Sequence, residues 1–382
     1  MSVAFHPSDG FTVGMEMEFQ LVDKQNLDLV DGILPLMDLY PGSVNIKPEM
    51  IQNTVEVASN PCKDTVELEH HMQSLVSELI ARCEELGMRL CGAGTHPFCK
   101  RLAAITPKPR YQSMERAAGL LIHNQVTFAT HVHMGMPSGD EAIRLMHELK
   151  VYLPLLIALS ANSPFWHGND TGYAAYRHRI LASSRNYDIP PDFADWIAFE
   201  RFFMTMKHAR VIEGINDIHW HIRPRPHLGT LEVRIMDAQP TVFEAVSLAV
   251  FIQGLALFLQ ETRNGHEDDK PLQPLSWWSL KDNCFIASRF GIDAQFIVNE
   301  RGDIEPLRDV ALRTLELISP FTDSATAQPH LEHLRKMIDD GLPYTRQRAV
   351  LHDTGSVEEV VHALALELAH ETGREAAHVT GG

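Results

Sequence analysis

A chain of 382 residues that is 45% hydrophobic can build a sizeable core, while a formal net charge of -17 argues against nucleic acid and anionic membrane as partners, because both call for a basic surface. The longest apolar run, Ala245 to Leu259, is interrupted by Ser247, Gln253 and Gly254 and falls short of the ~18 to 20 residues that span a bilayer, so it reads as a buried helix. Five cysteines without a C-x-x-C pair, and an N-terminus lacking the regions of a secretory signal, point to a reducing, cytoplasmic setting with thiols that are core or incidental.

No Pro/Ser/Gly-rich or charged linker divides the sequence, which predicts one domain over residues 1–382. The first predicted element is the strand Val13 to Leu21, V-G-M-E-M-E-F-Q-L. Alternation turns Glu16 and Glu18 to one face and Met15, Met17 and Phe19 to the other. Carboxylates two residues apart on a strand lie roughly 6.5 Å apart and repel by about 2 to 3 kcal/mol at an effective dielectric near 20. A divalent cation would neutralise them; a solvated strand face is the bland alternative.

Val44 to Ser59 is strand-like on both sides of Pro48, with Thr54, Glu56 and Ala58 sharing a face; Glu49 sits at the bend beside the proline and cannot be assigned a face. Asp64 to Leu86 carries helical spacing at Met72, Leu75, Val76, Leu79, Ile80 and Cys83, with Asp64 and Glu67 as a capping box and Gly87 as the stop. Turn formers fill Leu90 to Arg110, where G-A-G-T-H-P lacks the third glycine and the helix of a dinucleotide fingerprint.

Val126 to Gly135 is a strand with Val126, Phe128, Val132 and Met134 on one face and His131 and His133 on the other, a pair that reads as readily as metal ligands as hydrogen-bonded polar residues. A capping box at Ser138 and Glu141 opens a helix to about Ser160, kinked at Pro154. Thr171 to Arg185 sets Arg177, Arg179 and Arg185 near two tyrosines, the best local supply of cations. Ile218 to Asp237 reads as a hairpin. Its first strand buries Ile218, Trp220 and Ile222 and turns His219, His221 and Arg223 away; its second buries Leu231, Val233 and Ile235 and turns Glu232 and Arg234 away. Thr241 and Glu244 cap the long apolar helix to Gln260, and helices near Glu305 to Ile318, Leu331 to Asp340 and Ser356 to His370 complete the chain.

Four strand segments thus oppose Glu or His to an apolar face. An antiparallel sheet with helices on one side would gather Glu16, Glu18, Glu56, His131 and Glu232 on the other, with Arg223 and Arg234 as fixed cations. That inventory suits divalent ions clamping a nucleoside triphosphate and an arginine taking charge from a transferred phosphoryl.

The segments G-M-E-M-E-F-Q-L-V, G-T-H-P-F, I-T-P-K-P-R-Y, H-V-H-M-G, T-G-Y-A-A-Y-R, I-R-P-R-P-H-L-G-T-L-E-V-R, R-F-G-I-D-A and T-R-Q-R-A-V resemble the glutamate-cysteine ligase type 2 family of carboxylate-amine ligases, in the family's order and over nearly the whole chain. The resemblance implies an α+β, glutamine-synthetase-like fold of the kind shared with guanido kinases: a curved antiparallel sheet, helices packed on one face, and ATP, Mg2+ or Mn2+ and an acidic substrate on the concave face. Residues 1–240 would carry most of the sheet and metal site; 241–382 would be mainly helical and complete the site. Carried over by position, Glu16, Glu18, Glu56, Glu232 and His131 match metal ligands, and His133 falls near phosphate or substrate. Arg234 and Arg223 match catalytic positions, while Arg177, Asn283, Arg289, Arg346 and Arg348 match substrate- or nucleotide-binding ones. Two departures stand out: His221 replaces the aspartate of the usual W-D-[IV]-R-P, and Thr130 replaces an apolar residue before the first histidine. The implied activity is ATP-dependent amide formation through an acyl phosphate, from glutamate or a similar acidic amino acid and cysteine or another amine, with a homodimer as the expected assembly. The rivals are a guanidino phosphotransferase, a zinc hydrolase built on His131 and His133, and an ATP-binding module without turnover.

Overall fold

The computed structural model describes residues 3–8, 10–263, 270–322 and 324–373. In chain order the strands are β1 (Val13–Asp23), β2 (Ile46–Pro48), β3 (Thr54–Ala58), β4 (Met88–Cys91), β5 (Ala129–Gly135), β6 (Phe165–Trp166), β7 (Asn169–Asp170), β8 (Ile222–Arg225), β9 (Thr230–Asp237), β10 (Gln295–Ile297) and β11 (Ile304–Pro306). The helices are α1 (Ile33–Asp38), α2 (Thr65–Glu85), α3 (Pro109–Ala118), α4 (Leu120–His123), α5 (Gly139–Lys150), α6 (Leu153–Leu159), α7 (Arg177–Leu181), α8 (Trp196–His208), α9 (Val242–Glu261), α10 (Trp277–Phe290), α11 (Leu307–Ile318), α12 (Ser324–Asp340), α13 (Pro343–Thr354) and α14 (Val357–Glu371).

Seven strands form one antiparallel sheet in the order β2-β3-β1-β5-β9-β8, with β4 pairing the far end of β1. The period of two expected from the sequence sets its faces. Met15, Met17, Phe19, Val55, Val57, Val132, Met134, Leu231, Val233 and Ile235 are all buried in one core with α2 and α9. Each such side chain contributes about 1.5 to 3 kcal/mol on leaving water, which fixes the register and turns the intervening carboxylates, imidazoles and guanidiniums to the opposite face. Glu18 faces Glu56 across the β1–β3 pair, Glu16 faces His131 across β1–β5, and Arg223 faces Glu232 across β8–β9.

The capping positions hold: Asp64, Ser138 and Thr241 accept the backbone N–H of Glu67, Glu141 and Glu244 at 2.9, 3.1 and 3.1 Å. Three expectations change in detail. The helix from Ser138 to Ser160 is two helices, α5 and α6, because Pro154 has no N–H to continue the ladder and sits instead in the first turn of α6. The helix expected from Leu331 begins at Ser324 and runs across Pro329. Regular pairing of the Ile218 segment begins only at Ile222: the His221 N–H donates to the Asp188 carbonyl, and only its carbonyl keeps a bond to β9, accepting the Arg234 N–H at 2.8 Å.

The helix α9 is long and apolar enough to cross a membrane, yet 15 of its 20 residues are buried among other elements of the chain. Its N-terminus is held by the C-terminal helix: Glu371 accepts the backbone N–H groups of Val242, at 2.7 Å, and of Phe243. With the Thr241 cap, that satisfies three of the four free amides of the first turn. Glu371→Ala is expected to cost about 1 to 2 kcal/mol, read as a lower urea midpoint with an unchanged slope. A midpoint equal to the parent's would mean the clamp contributes nothing.

Candidate active site

The face of the sheet turned away from the core floors a cleft of about 520 Å3. Glu16 and Glu18 enter it from β1, Glu56 from β3, His131 from β5, Arg223 and Arg225 from β8 and Arg234 from β9, while Glu49, Tyr111, Arg177 and Tyr187 close its sides. Among the described residues, every one lining it precedes position 235. The strands of the large sheet likewise end at Asp237.

Charge is divided within the cleft. On one side Glu18, Glu49 and Glu56 bring carboxylate oxygens within 4.8 Å of one another. Burial, and then the charges of Glu16 and Glu49, push Glu56 up to about 8. Burial also raises Glu18 to about 7 and, with the charge of Glu18, raises Glu49. The local cation is modest: Lys47 reaches Glu56 at 3.2 Å and is itself 40% exposed. Three anions held this close without a matching positive charge suit a divalent cation with hard oxygen ligands. Glu49 is the member that sequence left unassigned. Its position is set by the β2–β3 pairing, in which Lys47 faces Glu56 and Pro48 faces Val55, and by its backbone carbonyl, which accepts the Thr106 hydroxyl at 2.6 Å.

On the other side the carboxylate of Glu232, fully buried, is surrounded by guanidiniums. Arg223 Nε and Arg225 Nη1 lie 2.8 and 3.2 Å from Oε2, and Arg234 donates to Oε1. Burial alone would raise this acid, but Arg223 and Arg234 outweigh it and hold Glu232 well below the ordinary range. Glu16 is likewise raised by burial and more than compensated by hydrogen bonds from His131 and His133. His131 Nδ1 is 3.1 Å from Glu16 and 3.8 Å from Glu232. Its Nε2 is buried with no hydrogen-bond partner among the described residues, and Nε2 of His133 stands 3.6 Å from Glu16. Glu16, His131 and Glu232 thus form a second group with ligand atoms within 4.8 Å.

Arg234 is aimed by an irregularity in β9. Between the pairs Val132–Val233 and Thr130–Met236, β9 has two residues, Arg234 and Ile235, where β5 has only His131. Such a bulge re-aims a side chain without giving up the sheet. Arg234 also feels the charges of Glu16 and Glu18, so one guanidinium is within electrostatic reach of both halves of the cleft.

Of the remaining residues singled out from sequence, Arg177 lines the cleft and donates to the Ile235 carbonyl at 3.1 Å, 3.9 Å from buried Asp237. His133 stands beside Glu16 at 3.6 Å and is oriented by Thr230, whose hydroxyl is 3.0 Å from Nδ1. Asn283, Arg289, Arg346 and Arg348 lie outside the cleft. Asn283 joins α10 to β10 through both the N–H and the carbonyl of Ile297. Arg346 pairs with Glu244 and Glu367. Arg348 forks onto Asp170 at 2.8 Å, and Arg289 stacks on the Tyr173 ring. These partners leave the four residues tying helices and loops together. Arg225 and His219, which sequence reasoning left without a role, do line the cleft; alternation with Arg223 was the available signal.

Residues 12–363 match the model of glutamate-cysteine ligase family 2 (GCS2). The chain belongs to that family. A protein of Trichormus variabilis (strain ATCC 29413 / PCC 7937), provisionally named glutamate--cysteine ligase 2, is 45% identical over 369 residues, covering 97% of this chain and 95% of the relative. A protein of Thermobifida fusca (strain YX) with the same provisional name is 34% identical over 375 residues, 96% of this chain and 93% of the relative. Among solved structures, the glutamate-cysteine ligase of Francisella tularensis in complex with AMP superposes with a TM-score of 0.67 at 13% identity, over 94% of this chain and 89% of that one. A bifunctional glutathione synthetase from Pasteurella multocida gives 0.68 at 11% identity, over 95% and 52%. At such identities the likeness is one of fold, and it agrees with the antiparallel sheet and flanking helices that the GCS2 motifs implied.

Proposed function

We propose that this GCS2-family protein is an ATP-dependent carboxylate-amine ligase that joins the γ-carboxylate of glutamate, or a similar acidic amino acid, to cysteine or another amine. The observation that carries the reading is the divided cleft: three carboxylates fit to hold divalent metal face three guanidiniums fit to hold phosphate. In the first step an oxygen of the substrate carboxylate forms a bond to the γ-phosphorus of ATP, the β–γ bridging bond breaks, and ADP leaves. In the second the amine nitrogen attacks the acyl carbon, the C–O bond to phosphate breaks, and amide and free phosphate are released with loss of a proton.

Both steps move negative charge among oxygens, so positioned cations are the main catalytic device required of the protein. Arg234, with Arg223 and Arg225, supplies planar donors that match phosphoryl oxygens. Glu18, Glu49 and Glu56 would hold Mg2+ or Mn2+, with Glu16, His131 and Glu232 as a second seat; bound there, the ions would draw charge from the phosphoryl oxygens. His131 is buried and pushed down to about 4, by burial first and then by Arg234, so its ring is neutral and able to ligate. The free thiols, four of them buried, suit a reducing cytoplasm.

The test is a panel of carboxylates and amines scored for free phosphate and new amide together. Their appearance in equal amounts, dependent on Mg2+ or Mn2+, is the expected result. A stable phosphorylated product without free phosphate would replace the ligase with a phosphotransferase, and stoichiometric tightly bound zinc with ATP-independent hydrolysis would replace it with a hydrolase.

A further inference from the structure

The motif I-T-P-K-P-R-Y, Ile105 to Tyr111, brings Lys108, Arg110 and Tyr111 to the lining of the cleft. Its root is fixed on the carboxylate side. The Thr106 hydroxyl donates to the Glu49 carbonyl at 2.6 Å, and the Thr106 N–H donates to the Met50 carbonyl at 2.8 Å. From there Pro107 and Pro109 stiffen the chain by fixing φ, and Pro109 opens α3. Tyr111, the buried residue of α3, donates its hydroxyl to the Pro48 carbonyl at 3.3 Å, again next to Glu49. Lys108 and Arg110 between these anchors are exposed. Arg110 reaches the opposite side of the cleft: its Nη2 donates to the Asn216 carbonyl at 3.2 Å, the same oxygen that Arg223 Nη1 approaches at 3.4 Å.

Two guanidiniums that meet on one backbone oxygen repel each other, and a neutral carbonyl does not cancel two positive charges. The carboxylate on this side, Glu232, is already shared by Arg223, Arg225 and Arg234. Among the described residues no carboxylate pairs with Arg110, whose polar contact is the Asn216 carbonyl, or with Lys108, whose ammonium stands 5.9 Å from the centre of the Tyr111 ring. Cations collected at one place in a cleft without matching anions, in a chain of net charge -17, mark a seat for an anionic ligand. The remaining N–H groups of Arg110 are free to serve it, because a single hydrogen bond to a carbonyl occupies only part of a five-donor fork.

We propose that Arg110 is a further phosphate-binding residue, donating beside Arg223 to an oxygen of the ATP polyphosphate, with Lys108 adding charge at the same strap of chain. The inference rests on the ligase reading and adds to it a fourth guanidinium, supplied by α3 and not by the sheet. Thr106 and Tyr111 are positioning residues. Because they are anchored beside Glu49, the strap spans from the carboxylates that suit metal to the arginines that suit phosphate, and a metal-bound nucleotide would engage it at both ends. Arg110 stands at the exposed end of this strap, and it holds the phosphates of bound ATP and of the transition state alike. Its loss therefore falls on nucleotide affinity, whereas loss of Arg234 falls on rate.

The test uses the full-length protein with Mg2+ and the non-hydrolysable ATP analogue AMP-PNP in calorimetric titration, together with steady-state kinetics on the most active carboxylate and amine from the panel. Arg110→Ala is expected to raise the Kd for AMP-PNP and the KM for ATP tenfold or more. It should leave kcat within threefold, the KM values for carboxylate and amine within twofold, and the melting temperature unchanged. Arg110→Lys should recover part of the affinity. Arg110→Gln keeps a donor for the Asn216 carbonyl but has no charge, and it should bind as weakly as Arg110→Ala. A parent that binds AMP-PNP while Arg110→Ala binds it as tightly overturns the assignment and leaves the ligase reading standing. So does Arg110→Gln with the parent's affinity, which would make the Asn216 contact the role of the residue. A rise confined to the KM for the carboxylate also overturns it, by moving the anion from phosphate to the acidic substrate. A parent that binds no nucleotide with Mg2+ or Mn2+ overturns both.

Discussion

Arg234→Ala is expected to lower kcat by roughly two to four orders of magnitude while raising the KM for ATP less than tenfold. A cation that matters as charge shifts along the transferred phosphoryl acts on the transition state more than on the bound nucleotide, so its removal falls on rate. Ground-state phosphate would still meet Arg223 and Arg225, which converge on the same carboxylate. Arg234→Lys should recover little, because a point charge on a flexible stem replaces a planar fork held by the bulge in β9. Glu232→Gln is expected to lose rate on a similar scale for a complementary reason. It leaves Arg223, Arg225 and Arg234 mutually repelling around a neutral amide, and Arg223, already pushed down to about 9 by burial and by Arg234, would lose its compensating anion. Steady-state phosphate release at saturating substrates checks both, with circular dichroism to confirm folding. If Arg234→Ala retains more than a fifth of the parent kcat, the phosphoryl is stabilised elsewhere.

Much of this cleft was legible because a strand's period of two is local information. Glu16 and Glu18, His131 and His133, and Glu232 and Arg234 could each be assigned a face from their immediate neighbours, and the structure puts those faces together on one sheet. Glu49 was not legible. It follows the strand-ending Pro48, and its approach to Glu18 depends on the β2–β3 register and on a bond from Thr106, a partner 57 residues away. The same limit hid α8, where Trp196, Phe199, Phe202 and Phe203 contact an aromatic cluster with Phe193 and Trp220, so that helical spacing is blurred by apolar residues on more than one face. Motif matching has a different weakness. Asn283, Arg346 and Arg348 belong to segments shared with the family, yet here they pin α10 to β10, α13 to α9 and α14, and α13 to β7. A motif residue can be retained for the fold that carries the site as well as for the site.

The effect of Mg2+ on thermal stability is expected to grow as pH rises from 6 to 8.5. In the metal-free protein Glu18 titrates near 7 and Glu56 near 8, raised chiefly by burial, with Glu49 raised as well. An unfolded glutamate titrates near 4.5, so across the interval up to about 8 the folded protein binds more protons than the unfolded chain. Stability therefore falls with rising pH through this window. The deprotonated carboxylates are the ones that ligate a divalent ion, so the same rise in pH strengthens metal binding, by up to about tenfold per pH unit for each proton released. Melting curves with and without Mg2+ should diverge between pH 6 and 8.5, and calorimetric titration in buffers of different ionisation enthalpy should show protons leaving on binding near neutral pH. Glu56→Gln removes one anion from the cluster and should act in two opposed directions: a metal-free protein whose melting temperature depends less on pH, and a weaker response to Mg2+. A metal-induced shift that is the same at pH 6 and pH 8.5 would place the ion away from Glu18, Glu49 and Glu56, on groups such as Glu16 and Glu232 that are already ionised across the whole range.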